Sequence, residues 1–387
     1  MIYIRRNIEE KLQQYRQIFP VIAILGPRQC GKSTLVKHAL AHLQDIVYLD
    51  LQNLEDINKL QDPYLFFQIH EAKTICLDEI QLKPELFSVL RSLIDQNRQK
   101  GRFILSGSAS RDLVQHSAES LAGRIGYLAL SPFQIDEIPN VQTHELWNRG
   151  GFPDSLLAEQ DDYSYIWREN FIQTYVERDI PQLGFQIPPL QLRRFLTLCA
   201  HNQGQMANLS KMGANMDMTH SSMKRYIDLL EQTFILRTLV PFEANTKKRL
   251  VKTPKVYIRD SGILHTLLGI RNMNMLLSHP VYGASWEGLV MEQILSVTDD
   301  LPASFYRTSG GDEMDLVLEI HGKRIAIECK ASTVPKPSKG FYKCIEDIQP
   351  AQTFIVAPIT GDSYLLEENI RITGLREMIV RLKEMMG

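Results

Sequence analysis

Between Val21 and about Leu130 the chain alternates short apolar runs (VIAIL, IVYLDL, TICLDE, FILSGS, GYLAL) with stretches of helical spacing. Continuous apolar runs mark strands buried on both faces, so this pattern predicts a parallel sheet with crossover helices. From about Glu145 to Ile235 helical spacing dominates, with Asp161 to Arg178 and Leu190 to His201 the clearest helices and Pro188-Pro189 breaking the chain between them. From Trp286 a long helix leads into strands around Phe305, Glu313 to Ile320, Arg324 to Lys330 and Thr353 to Val356. The changes of pattern divide the chain at about 1–140, 141–185, 186–282 and 283–387: an α/β segment, a helical linker, a helical segment with short strands, and a second α/β segment. No repeat at solenoid periods and no long low-complexity tract interrupts this order.

Composition narrows the picture. With 387 residues, 44% hydrophobic and 23% charged, the chain is globular and long enough for two or three domains, each with its own core. A net charge of −2 removes global basicity as an argument for a nucleic-acid partner and leaves only local patches. Five scattered cysteines without a C-x-x-C pair indicate neither a disulfide framework nor a structural zinc site. The N-terminus lacks an apolar signal region, and nothing downstream approaches the ~18 apolar residues of a membrane span, so a cytoplasmic protein is expected.

Gly26-Pro27-Arg28-Gln29-Cys30-Gly31-Lys32-Ser33, followed by Thr34, fits G-x-x-x-x-G-K-[ST] directly after the apolar strand Val21 to Leu25 and opens a helical stripe of Leu35, Val36, Ala39 and Leu40. Glycines let backbone N–H groups wrap an anion at a helix N-terminus, Lys32 meets the β- and γ-phosphates, and Ser33 ligates Mg²⁺. A second strand ends in Asp78-Glu79. Asp78 is expected to hold Mg²⁺ through water, and Glu79 to orient and deprotonate the attacking water. A third strand, Phe103 to Leu105, ends in Ser106-Gly107-Ser108, where a hydroxyl can reach the γ-phosphate or the water. Arg124 follows a predicted helix, Asp112 to Leu121, and precedes the strand Gly126 to Leu130, a placement on the rim of the sheet.

This order over roughly residues 15 to 135 resembles the AAA+ ATPases. The resemblance implies that Ser106 is the polar sensor and that Arg124 is an arginine finger acting on a neighbour's ATP in a ring or other homo-oligomer. A surface salt bridge is the alternative for Arg124. Arg178, at the end of the helix in the following segment, is a candidate to reach the phosphates; pairing with Glu177 or Asp179 is the alternative. Gly150-Gly151-Phe152-Pro153 reads as a hinge into a helical lid, or as a plain loop.

In the middle segment, a helix from Leu190, a short helix from Asn208, and a third helix capped by Thr219 suggest a winged helix. Ser221, Ser222, Lys224 and Arg225 are expected to face outward, with Met223, Tyr226, Ile227 and Leu230 inward, followed by a β-like Phe234 to Val240. Residues 245–259 carry Lys247, Lys248, Arg249, Lys252, Lys255 and Arg259 with no acidic residue, a candidate phosphate-contact segment. A solvated loop or a protein-docking wing has the same sequence.

Glu313 to Ile320 and Arg324 to Lys330 flank the turn His321-Gly322-Lys323, so they read as a hairpin. Period-two alternation puts Glu313 and Asp315 on one face, Glu328 and Lys330 together on the partner strand, and Met314, Leu316, Leu318, Ile325 and Ile327 toward the core. The spacing D-x₁₂-E-x-K after a long helix resembles the PD-(D/E)xK, restriction-endonuclease-like fold over about residues 283 to 387; the Pro of the nominal motif is absent. The resemblance implies Mg²⁺ or Mn²⁺ held by Glu287, Asp315 and Glu328, with Lys330 stabilising hydroxide or transition-state charge. An amphipathic hairpin with a wet charged face, or a family fold without catalysis, is the alternative.

The whole arrangement resembles a bacterial and archaeal family of AAA-type ATPases with a C-terminal nuclease-like domain, related to archaeal ATPase and STAND groups. The expectation is an oligomeric, Mg²⁺-dependent ATPase acting on duplex or branched DNA. The rivals are a nucleotide switch that signals to a protein partner and an ATPase-controlled, metal-dependent nuclease.

Overall fold

The computed structural model describes residues 3–41, 45–108, 120–242, 250–298, 301–359 and 361–387. The chain folds as two compact units, Met1–Phe133 with Gln232–Phe234, and Gln134–Glu231 with Ile235–Gly387. The predicted helix Asp112 to Leu121 and the basic residues Lys247, Lys248 and Arg249 fall largely or wholly outside the described residues.

The first unit is built on five parallel strands: β1 (Val21–Leu25), β2 (Ile46–Asp50), β3 (Thr74–Asp78), β4 (Phe103–Gly107) and β5 (Ile125–Ala129). Their order is β2-β3-β4-β1-β5. All five residues of β1 and of β4 are buried, which is why both strands read as unbroken apolar runs. One covering helix, Leu86–Gln96, buries Leu86, Phe87, Leu90, Leu93 and Ile94, a spacing that keeps one stripe on the sheet. The carboxyl ends of β1, β3 and β4 lie side by side, and open parallel sheets bind ligands at such ends.

In the second unit the helix Asp161–Thr174 does not run to Arg178 as an α-helix. It widens into a π-turn over Tyr175–Asp179, where the Ile180 N–H bonds to the Tyr175 carbonyl. Pro181 explains the change: its ring collides with the carbonyl four residues back, so the hydrogen-bond ladder shifts by one. The Gly150-Gly151 pair is tied down by Asp260. Gly150 stands at φ 76°, and a Cβ there would meet an Asp260 oxygen at 2.1 Å. The Gly151 N–H donates to the other oxygen at 2.7 Å.

The helices Pro189–His201, Leu209–Ala214 and His220–Gln232 are followed by an antiparallel sheet in the order β6-β8-β7, from β6 (Gln205–Met206), β7 (Leu236–Leu239) and β8 (Lys255–Ile258). Asn208 caps the second helix through the Lys211 N–H, and Thr219 Oγ1 accepts from the Ser222 N–H at the start of the third. Met223, Tyr226, Ile227 and Leu230 are buried, while Lys224 and Arg225 are exposed.

The C-terminal sheet has the order β13-β14-β12-β11-β10-β9, from β9 (Ala303–Arg307), β10 (Glu313–Ile320), β11 (Lys323–Cys329), β12 (Gln352–Val356), β13 (Tyr364–Glu367) and β14 (Ile370–Thr373). The helix Tyr282–Val297 is buried from Gly288 to Leu295 without a break, so it carries almost no polar face. One expectation for the hairpin is corrected. The β10–β9 pairing shifts between Met314 and Val317, a bulge that reverses the alternation along β10. Met314 therefore shares a core with Val317, Tyr306, Ala326 and Ile355, rather than lying on one face with Leu316 and Leu318.

Candidate functional site

The apolar strand β1 feeds the loop 26–31 into the helix Lys32–Ala39, whose N-cap Gly31 stands at φ 100°, a conformation that favours glycine. Lys32 is buried, and its Nζ donates to the carbonyls of Gly26 at 3.0 Å and Pro27 at 2.8 Å. Arg6, buried over the Phe133 ring, donates to the carbonyls of Cys30 at 3.0 Å and Ser131 at 2.7 Å, tying the loop to the chain that leaves β5. Pro27 and Cys30 are buried, Arg28 is half-buried, and Gln29 and Thr34 are exposed.

Asp78 closes β3 beside this helix. One of its carboxylate oxygens accepts from Ser33 Oγ at 2.5 Å and from Tyr48 Oη; the other accepts from Ser106 Oγ. Burial alone raises a carboxyl pKa, but the hydrogen bonds from Ser106, Ser33 and Tyr48, with the Lys32 charge, outweigh it and hold Asp78 below its ordinary value. Burial, and then the same contact, push the Tyr48 phenol up. Glu79 turns off the strand end in the left-handed region, at φ 57°. Its carboxylate accepts from Gln81 Nε2, which also reaches Ser108 Oγ at 3.2 Å.

The structure thus brings together Lys32, Ser33, Asp78, Glu79 and Ser106 from segments far apart in the chain. Ser33 and Asp78 form the hard-oxygen pair that suits Mg²⁺, and the N–H groups at the N-terminus of the helix Lys32–Ala39 suit phosphate, so these residues fit Mg·ATP. Sequence reading missed Tyr48, Gln81 and Arg6. The two-residue offset of Gln81 from Glu79 was the only available signal; Tyr48 needs the β2–β3 register, in which it pairs Cys76.

Arg124 is paired within its own chain. Its Nε and Nη2 bond to Asp95 Oδ1 at 2.8 and 2.5 Å, and Nη1 to the Ala122 carbonyl at 3.0 Å. Arg178 is exposed on the π-turn of the second unit. Of the basic segment, Lys252 is exposed, but Lys255 and Arg259 are corrected. Lys255 is buried against Glu287, and Arg259 bonds to Glu292 at 2.6 Å. Neither presents its charge to an external phosphate.

At the C-terminal cluster, Glu287 accepts from Lys255 Nζ at 2.8 Å and from Tyr257 Oη at 2.6 Å. Lys255 also bonds to Glu313 at 2.5 Å and lies 3.7 Å from Asp315. Asp315 accepts from the Cys329 N–H at 2.8 Å, and Lys330 donates to Glu328 at 2.5 Å. Burial lowers an ammonium, but the charges of Glu287, Asp315 and Glu313 outweigh it and raise Lys255 above its ordinary value. Burial, then the charges of Glu328 and Glu287, push Asp315 well up. A divalent metal needs free carboxylate oxygens; here Lys255 takes one oxygen each of Glu287 and Glu313 and stands 3.7 Å from Asp315, and Lys330 takes one of Glu328, so this donor set does not fit the metal expected from sequence. Among the described residues no group of three or more His, Cys, Asp or Glu side chains is arranged to hold a metal ion. Nor is any described helix long and apolar enough to cross a membrane.

The parallel sheet, the phosphate loop and the acidic strand end define an AAA-type, ATP-binding P-loop protein. The AAA domain family matches residues 19–139, and two domains of unknown function, DUF8612 and DUF4143, match 140–274 and 282–378. Uncharacterized proteins of Mycobacterium bovis and Mycobacterium tuberculosis are each 37% identical over 358 residues, covering 92% of this chain and 81% of theirs, and the chain belongs to their family. An uncharacterized protein of Haemophilus influenzae is 23% identical over 303 residues, covering 70% of this chain and 74% of its own. Among solved structures, the Walker-type ATPase paby2304 of Pyrococcus abyssi shares the fold at a TM-score of 0.50, with 16% identity, over 69% of this chain and 96% of that one.

Proposed function

We propose that this chain is a Mg²⁺-dependent ATPase that works as a homo-oligomer on duplex or branched DNA. The observation that carries the reading is the convergence of Ser33, Asp78, Ser106 and Glu79 at the carboxyl ends of β1, β3 and β4, beside the N-terminus of the helix Lys32–Ala39. When bound, Mg·ATP supplies a γ-phosphoryl group activated for transfer to water. Lys32 and the N–H groups of the loop hold the phosphates, and Ser33 and Asp78 hold the cation. Ser106 fixes the Asp78 carboxylate, while Glu79 takes the proton of the attacking water, its carboxylate oriented by Gln81.

Arg124 is the candidate for action across a subunit interface, which requires its guanidinium to exchange Asp95 for a neighbour's phosphate. Mixtures of Arg124→Ala with Glu79→Gln subunits test this. A finger acting in trans restores ATP turnover in the mixture above that of either variant alone; turnover that stays at the level of the separate variants removes the role.

The DNA reading is supported by the middle segment. The order helix, β6, helix, helix, β7, β8, with β8 central in its sheet, supports a winged-helix reading, and Lys224 and Arg225 stand exposed on its third helix. The test is duplex binding and ATPase rate at several salt concentrations for wild type and for Lys224→Ala/Arg225→Ala/Lys252→Ala. The triple variant is expected to bind duplex DNA more weakly at all sequences, with the salt slope reduced by about 0.9 per lost phosphate contact. ATPase rates indifferent to DNA, together with no salt-sensitive duplex binding by wild type, defeat the DNA reading.

One observation favours a second reading, a nucleotide switch that signals to a protein partner: Lys255 and Arg259 are consumed by internal ion pairs, which thins the basic segment. Nucleotide retained through purification and an oligomer that changes between ADP and an ATP analogue, without DNA stimulation, support the switch. The C-terminal hairpin, with Asp315 and Glu328 on adjacent strands and Lys330 one residue past the second, supports a restriction-endonuclease-like reading of the fold alone.

A further inference from the structure

Lys255 lies on β8, in the segment read as a winged helix, yet its side chain is only 2% exposed and ends among carboxylates of the C-terminal segment. Those acids come from two elements: Glu287 from the helix Tyr282–Val297, and Glu313 and Asp315 from β10. Nζ lies 2.8, 2.5 and 3.7 Å from their nearest oxygens. Tyr257, two residues further along β8, donates its hydroxyl to the same Glu287 oxygen, and the Phe305 ring covers the ammonium at 5.4 Å. Arg307 bonds to the second oxygen of Glu313. Nearby, Glu328 keeps a buried oxygen, Oε2, without a hydrogen-bond partner, while its Oε1 is held by Lys330.

Carboxylates drawn from separate elements onto one point are what a hard divalent cation requires. They also repel one another strongly in a dry interior, a repulsion that a cation at their meeting point relieves. In this chain the ammonium does so from within, reaching the cluster along a strand that the rest of the unit holds in place.

We infer that Lys255 is the resident cation of this cluster, its ammonium standing where a divalent metal would stand. In the folded chain Glu287, Glu313 and Asp315 then bind neither Mg²⁺ nor Mn²⁺, and the C-terminal segment does not cut DNA through metal-activated water. Removing the ammonium opens a divalent-cation site. The inference is independent of the ATPase reading, since it concerns only residues of the second unit.

The experiment is calorimetric titration of Mn²⁺ into the nucleotide-free full chain carrying Asp78→Asn, which removes the carboxylate of the phosphate site. With Lys255 intact, no Mn²⁺ binding that depends on Asp315 is expected. Lys255→Met is expected to bind one Mn²⁺ per chain and to lose it when Asp315→Asn is added. Mn²⁺ bound in the presence of Lys255 and lost with Asp315→Asn overturns the inference, and so does a folded Lys255→Met that binds no Mn²⁺. Should Lys255→Met not fold, the melting temperatures of Glu287→Gln and Glu313→Gln in EDTA decide the matter. A resident lysine makes each substitution lower the melting temperature by several degrees, because the ammonium loses a partner. A bare metal site makes each raise it, because mutual repulsion falls.

Discussion

Glu79→Gln is expected to bind ATP about as tightly as the wild-type chain and to hydrolyse it on the order of 10² to 10⁴ times more slowly, the usual contribution of a positioned general base. The amide keeps the shape of the side chain and its place at the end of β3, and it leaves untouched Lys32, Ser33 and Asp78, the residues proposed to hold the nucleotide and its cation. What it removes is the oxygen that accepts the proton of water. The selectivity of the effect follows from the geometry. Asp78 is enclosed by Ser33, Ser106 and Tyr48, whereas Glu79 turns away from them at φ 57° and is held by Gln81. The two adjacent carboxylates therefore have separate surroundings, which suits the separate tasks proposed for them. Phosphate release in single turnover, with affinity followed by a fluorescent ATP analogue, measures both quantities. Lys32→Ala is the contrasting variant, since it weakens binding itself. An unchanged hydrolysis rate in Glu79→Gln removes Glu79 from the chemistry.

Glu292→Leu is expected to destabilise the second unit by about 3 to 5 kcal/mol, because removing one partner of a buried ionic group leaves the others uncompensated. Glu292, on the helix Tyr282–Val297, is 8% exposed. It receives Arg237 at 2.9 and 3.3 Å from β7, and Arg259 at 2.8 and 2.6 Å from the end of β8. Leucine fits the volume but leaves two guanidinium groups facing each other. For a unit of this size the loss corresponds to a fall in melting temperature of roughly 6 to 20 °C.

The pH dependence supplies an independent check on the same residue. Burial raises the Glu292 carboxyl, but Arg237 and Arg259 outweigh it and hold it below its ordinary value. A depressed carboxyl contributes stability that is present above the unfolded pKa, about 4.3, and is lost as pH falls through the folded one. Glu292→Leu is therefore expected to flatten the loss of stability below about pH 4.3 as well as to lower the plateau. Thermal melts between acid and neutral pH measure both effects; a plateau within 1 kcal/mol of wild type refutes the clamp.

Where function depends on local chain direction, the reading from sequence and the structure coincide. The loop 26–33 follows β1 and opens the helix Lys32–Ala39, and the hairpin strands Glu313–Ile320 and Lys323–Cys329 lie within a residue of the alternating pattern. Thr219 was legible as a cap, and Asn208 as the start of a short helix, because a cap satisfies N–H groups only two or three residues away. The same reasoning failed for the charges of the second unit whose partners lie on other elements. Lys255 and Arg259 were counted as external charge because a run of basic residues looks alike whether it faces water or buried acids. Met314 was placed with Leu316 because strict alternation has no means of anticipating a bulge, which is set by the pairing with β9.

The amino-acid order alone determined that this chain has a phosphate loop on a strand–helix turn, an acidic strand end, a helical middle and a final α/β segment with a strand hairpin. These properties arise from hydrogen bonds and apolar periodicity within a few residues. Only the tertiary structure decided which side chains bond directly: Ser33 and Ser106 to Asp78 in one unit, Lys255 to Glu287 and Glu313 in the other. Electrostatic and hydrogen-bond energies depend on distance in space, so residues 32 or 58 positions apart become partners only once the sheets have formed.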